Sequence, residues 1–177
     1  MNRYYLFLIV GSVLIIIFLA VYLLIPIYSP YYKNVENALK NNYKVAIIPP
    51  HSSKIIFTLS TTKTNNTIYL IGNTSSLYLQ IINTSGLIAN NSRVLITKVS
   101  PGNYSVAVFN PTNTTQGIEV RYGVFPYSEL STLYSFIGVI TTVSEFFIAL
   151  GVVAVGYGGI GLLISVTGLN KRFKRRK

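Results

Sequence analysis

The chain has 177 residues, a net charge of +11, only 11% charged side chains and a mean hydropathy of +0.48, whereas a soluble domain carries about a quarter charged residues. It contains neither Cys nor Asp, which excludes disulfides, thiolate metal sites, cysteine nucleophiles and a Ser-His-Asp triad. The positive charge is no nucleic-acid footprint: six of the fifteen basic residues crowd into the last seven positions, and the others are scattered without an aromatic-interleaved stripe.

Tyr4 to Ile25 (YYLFLIVGSVLIIIFLAVYLLI) is an uncharged apolar run. Its length of about 33 Å as a helix exceeds a hydrocarbon core of about 30 Å. Pro26 ends it. Tyr4 and Tyr5 at one end, with Tyr22, Tyr28, Tyr31 and Tyr32 near the other, suit the two interfacial aromatic belts. The run is longer than the apolar core of a signal peptide, and the bulky PIYSPYY that follows is a poor cleavage site. Residues 1–27 therefore read as a retained signal-anchor transmembrane helix, and residues 28–44 as a polar stalk or short helix.

From 45 to 127 the texture is that of short strands. Lys44–Ile48, Ile55–Leu59, Thr67–Ile71, Leu77–Ile82, Val94–Val99, Tyr104–Phe109 and Ile118–Phe125 are β-branched or aromatic runs, many alternating in period two. Turn-forming clusters separate them: PPHSS, TTKTNN, GNTSS, NTSG, ANNS, SPGN and NPTNTTQG. About seven strands at this spacing predict an all-β extracytoplasmic domain, an antiparallel sandwich, with a closed barrel as the alternative. The Ser100-Pro101-Gly102-Asn103-Tyr104 turn and the two alternating strands that follow it resemble the closing hairpin of extracytoplasmic jelly-roll and immunoglobulin-like modules. That likeness implies a fold class and no activity.

Residues 128–169 read as one long helix whose transmembrane part is 146–169 (FFIALGVVAVGYGGIGLLISVTGL). The tail 170–177 holds Lys171, Arg172, Lys174, Arg175, Arg176 and Lys177, a stop-transfer cluster that marks the cytoplasmic side and suits contact with anionic lipid. Both termini are then expected in the cytoplasm and residues 28–130 outside a cell membrane crossed twice. Glu145 precedes Lys171 by about 39 Å of helix, which puts it near the outer interface. Inside the bilayer it would be a functional carboxylate.

Gly151, Ala154, Gly158, Gly161, Ser165 and Gly168 follow one another at spacings of 3, 4, 3, 4 and 3. This mean period of about 3.5 residues puts them on one seam, where small side chains let another helix approach closely. Its partner is the first helix, a second copy or another subunit. Six N-x-S/T sequons, at Asn65, Asn73, Asn83, Asn90, Asn103 and Asn113, fall in or beside predicted turns and are candidates for N-glycosylation. Asn110 is not one, because Pro111 follows it.

His51 is the single histidine, in a loop after Pro49-Pro50, and reads as solvated. No phosphate loop, dinucleotide fingerprint or HExxH occurs, and the glycine-rich 156–161 lies inside an apolar span. No catalytic, cofactor or metal residues are expected. Residues 28–130 hold eight Lys or Arg against three Glu, and their polar surface comes from Asn, Thr, Ser, Gln and Tyr. In this the composition resembles that of cell-surface or viral membrane proteins of acid-living archaea. The expected role is non-catalytic: a structural or interaction module, or an accessory subunit of a membrane or cell-surface assembly. The alternative is a ligand-binding receptor or transport-linked component that uses the outer domain and Glu145.

Overall fold

The computed structural model describes residues 3–167, which divide into two compact units, 30–133 and the pair of segments 3–29 and 134–167. In chain order the elements are α1 (Arg3–Leu23), α2 (Ile25–Tyr28), α3 (Tyr32–Asn41), β1 (Tyr43–Ile48), β2 (Ser53–Thr61), β3 (Asn65–Gly72), β4 (Tyr78–Asn83), β5 (Gly86–Ser92), β6 (Val94–Lys98), β7 (Gly102–Phe109), β8 (Gln116–Pro126) and α4 (Tyr127–Val166).

Residues 30–133 form two antiparallel four-stranded sheets, ordered β1-β8-β3-β6 and β2-β7-β4-β5. Apart from the β4–β5 hairpin, consecutive strands pass from one sheet to the other in a jelly-roll topology, a specific form of the expected sandwich. Alternation puts Ile118 and Val120 of β8, Ile68 and Leu70 of β3, Leu79 and Ile81 of β4, and Val106 and Val108 of β7 between the sheets, all with at most 1% of their surface exposed. Phe57 and Tyr122 join across this core, ring centroids 4.2 Å apart. The interior is filled by aliphatic and aromatic side chains, so the space between the sheets is a packed core.

There are eight strands where seven were expected. The additional one is β5, whose sequence GLIANNS reads locally as turn material. It pairs with β4 from Tyr78↔Ser92 to Asn83↔Gly86, and main-chain bonds hold it while most of its side chains face solvent. Arg93 alone separates β5 from β6. Its left-handed backbone (φ 64°) carries the chain from one sheet to the other, and its carbonyl accepts the Gly72 N–H at 2.6 Å.

Within the expected stalk, α3 is a ten-residue amphipathic helix. Val35 and Leu39, one turn apart, are buried where α3 packs on β8, while Lys33, Asn34, Glu36, Asn37 and Lys40 face solvent. The carbonyl of Asn42, just past its end, accepts the Tyr122 N–H at 3.0 Å. The other unit holds α1, α2 and most of α4. Pro26 sits in the first turn of α2, where a missing N–H costs nothing. Both α1 and α4 are long and apolar enough to cross a membrane.

Candidate functional site

Three features of the molecule have the makings of a site: the packed face of the long helices, a polar loop junction, and one edge of the jelly roll.

In the helical unit the glycines sort into two groups. A Cβ built on Gly151 would stand 2.7 Å from Ile15 Cγ1 and 2.8 Å from the Gly11 carbonyl oxygen; one on Gly158 would stand 2.8 Å from the Tyr4 carbonyl oxygen and 2.9 Å from Leu8 Cγ. One on Gly161 would strike the Tyr4 ring. A Cβ on Gly11 would reciprocally stand 2.7 Å from the Gly151 carbonyl oxygen. By contrast, Gly138, Gly156 and Gly159 have nothing within 4 Å of such an atom. Rising numbers on α4 thus meet falling numbers on α1, so the two run antiparallel with backbones in close approach.

Aromatic contacts fix the same register. Phe18 stacks on Phe147 (4.4 Å, 10° between planes), and Phe7 meets Tyr157 edge-on at 5.0 Å. Of the other seam residues, Ala154 is half-buried and Ser165 exposed. Gly168 and the basic tail, Lys171, Arg172, Lys174, Arg175, Arg176 and Lys177, lie outside the described residues. The Ser144 hydroxyl, fully buried on α4, has no hydrogen-bond partner among the described residues. Glu145 beside it is exposed. It lies about 3 Å of helix from Phe147, at the level where α1 continues as an apolar helix past Phe18 to Leu23.

The sequons are spread over the jelly roll and form no cluster. Asn65 begins β3, Asn73 follows it, Asn83 ends β4, Asn103 is the second residue of β7, and Asn113 lies in the β7–β8 loop. Asn90 falls within edge strand β5, opposite Gln80, and not in a turn. All are exposed except Asn83, which is half-buried. Asn73 Oδ1 accepts the Glu119 N–H at 3.0 Å, and Asn113 Oδ1 lies 2.6 Å from His51 Nε2. His51 thereby joins the β1–β2 loop to the β7–β8 loop, with a left-handed backbone (φ 49°).

Beneath it sits a residue that local sequence reasoning passes over. Asn110 is wholly buried. Its Nδ2 donates to the carbonyls of Ile48 (3.0 Å), Pro49 (3.1 Å) and Thr114 (2.8 Å), and its Oδ1 accepts from the N–H (2.9 Å) and hydroxyl (2.7 Å) of Thr112. The Asn-Pro-Thr sequence signals a local turn, but burial under a second loop is a tertiary property. The junction is structural in its chemistry: amide and carbonyl groups, with no carboxylate among its partners. Among the described residues no three His, Asp or Glu side chains come together as a metal site would require.

The jelly roll ends on one side at β1 and β2, the edges of their respective sheets. Val45, Ala46, Ile47, Lys54, Ile55 and Ile56 line an open groove of about 460 Å³ there. Large apolar side chains stand exposed along it: Val45 by 67%, Ile47 by 64% and Ile55 by 59%.

No protein-family model and no curated protein matches the chain. Solved structures similar to it include a periplasmic inhibitor of g-type lysozyme from Aeromonas hydrophila (11% identity, 46% of this chain and 84% of that one, TM-score 0.35). Others are the pre-peptidase C-terminal domain of a Bacillus anthracis collagenase (12%, 46% and 88%, TM-score 0.37) and a de novo designed double-stranded β-helix (6%, 46% and 99%, TM-score 0.31). These likenesses concern β architecture over less than half of the chain, and no activity transfers from them.

Proposed function

We propose that this chain is a membrane-anchored, non-catalytic interaction or structural module: α1 and the later part of α4 span a cell membrane as an antiparallel pair and hold the jelly roll on its outer side. The observation that carries this reading is the two-sided character of the helix pair. Its inner faces interlock through Gly11, Gly151, Gly158 and Gly161, while its outer faces present Ile9, Val13, Ile16, Ile17, Val152, Val153, Ile160 and Leu163 uncovered. Such a pair has favourable packing inside and an apolar surface that lipid, not water, accommodates. With the basic tail read as a stop-transfer signal, both termini are cytoplasmic and residues 28–130, with their sequons available for glycosylation, are outside.

The test is the native mass of the tagged chain in mild detergent, with identification of what accompanies it, alongside protease added to sealed cells. A stoichiometric foreign partner together with cleavage in the outer loop supports an accessory subunit. Recovery from the aqueous fraction without detergent removes the anchor, and with it the reading.

A second reading, a ligand-binding or transport-linked component, draws on one feature. Glu145 is exposed on α4 at a level where α1 is still apolar, and a carboxylate in such surroundings calls for a partner. Substituting Glu145→Gln with no change in assembly, ligand uptake or growth counts against it.

A further inference from the structure

Edge strands invite pairing with other chains, and proteins blunt them by bulges, prolines, shortness or charge. Three of the four edges here are bulged or short, and the fourth, β1, carries a single charge, Lys44. The register of β2 with β7 breaks between Ile55 and Phe57, that of β5 with β4 breaks between Ile81 and Ile82, and β6 has only five residues. The fourth, β1, pairs with β8 without interruption from Tyr43↔Arg121 to Ile48↔Gln116. It holds no proline, and along one face run Tyr43, Val45 and Ile47, each more than half exposed. Pro49 and Pro50 follow at once, so pairing along this edge stops after Ile48.

The charges around this edge indicate what fits it. Lys44 lies on β1, Lys54 lines the groove and Lys40 closes α3 just ahead, and among the described residues none of them has an ion-pair partner. The carboxylate nearest in register, Glu119, is engaged by Arg121 at 2.8 Å. A second copy would bring the same three lysines against Glu36, exposed on α3, and Glu119, already engaged by Arg121, so the balance at this edge stays positive. Like charges brought together at an interface oppose docking.

We propose that β1 is a docking strand for an extended acidic segment of a partner protein, which adds to the sheet as a further strand. Main-chain hydrogen bonds to β1 would supply the pairing. Alternate apolar side chains would lie beside Tyr43, Val45 and Ile47, and carboxylates would reach Lys44 and Lys54. This deepens the interaction-module reading and rests on it.

The test uses the full chain in detergent and a short peptide alternating Glu and Val, with a Lys–Val peptide of equal length as control. Binding of the acidic peptide alone, with slowed amide exchange in β1 and about tenfold loss in Lys54→Glu, is the expected result. Equal binding of the two peptides, protection outside β1, or full affinity in Lys54→Glu overturns the proposal. Self-association abolished by Val45→Lys overturns it as well and assigns the edge to a second copy. A native partner that stays with both Val45→Lys and Lys54→Glu rejects β1 as its dock while leaving the module reading intact.

Discussion

Asn110 Nδ2 reaches the Ile48 carbonyl across 62 positions of sequence at 3.0 Å, and with it the last residue of β1 is held to the first residue after β7. The same amide group serves Pro49 and Thr114, so the β1–β2 and β7–β8 loops share one buried anchor. Truncation leaves several buried backbone groups without partners, each costing about 1–3 kcal/mol where water cannot enter. Asn110→Ala is therefore expected to destabilise the jelly roll by about 2–4 kcal/mol. Asn110→Asp should do no better, since it loses the donors and sets a carboxylate against three carbonyl oxygens. Thermal unfolding followed by circular dichroism checks both; an unchanged Tm in either variant contradicts the anchoring role.

The helix pair gives a prediction with an internal control. Gly158→Leu must place its side chain into the backbone of α1 near Tyr4 and Leu8, whereas Gly156→Leu enters open space. The chain has no Cys, so cysteines introduced at Phe18 and Phe147, whose rings stack, report on the pairing alone. Cross-linking within one chain should persist in Gly156→Leu and drop severalfold in Gly158→Leu, where steric overlap in a packed interface typically costs about 1–3 kcal/mol. Equal cross-linking in the two would mean that close approach at Gly158 does not hold the pair together.

These two cases differ in how far the sequence discloses them. The seam is visible as a period, because residues that face one neighbour along a straight helix must recur near every 3.5 positions, and off-seam Gly156 and Gly159 break the pattern where space is open. Seven strands are visible for the same kind of reason: β-branched runs alternate when one face is buried. Strand β5 is not, since GLIANNS owes its place to main-chain pairing with β4 and its side chains carry little of the signal. Asn110 and the exposure of β1 are also hidden. One depends on two loops meeting, the other on which strand has no neighbour, and neither is a property of a local window.

Acid should disturb the jelly roll little. Acid unfolding proceeds largely through carboxylates that are paired or hydrogen-bonded in the native state, and residues 30–133 contain three Glu and no Asp. The ion pair among the described residues, Arg121 with Glu119, is partly exposed, and such pairs contribute at most about 1 kcal/mol. The unfolding midpoint of the jelly-roll unit is expected to fall by no more than several degrees between neutral pH and about pH 3. A steep loss over that range would place an acid-sensitive contact where these carboxylates supply none.

Ser144 offers a prediction of the opposite sign from the first. Its hydroxyl is buried on α4 with no partner among the described residues, so it carries the desolvation cost of a polar group without the return of a hydrogen bond. Alanine removes the hydroxyl, keeps a helix-favouring side chain and leaves a space too small to matter. Ser144→Ala should leave the helix pair as stable as before or stabilise it by up to about 1 kcal/mol. The measurement is the detergent-concentration midpoint for loss of the Phe18–Phe147 cross-link in the two proteins. A clear weakening in Ser144→Ala would mean that this hydroxyl is engaged in the assembled protein, and a polar group from another helix would then be the partner to look for.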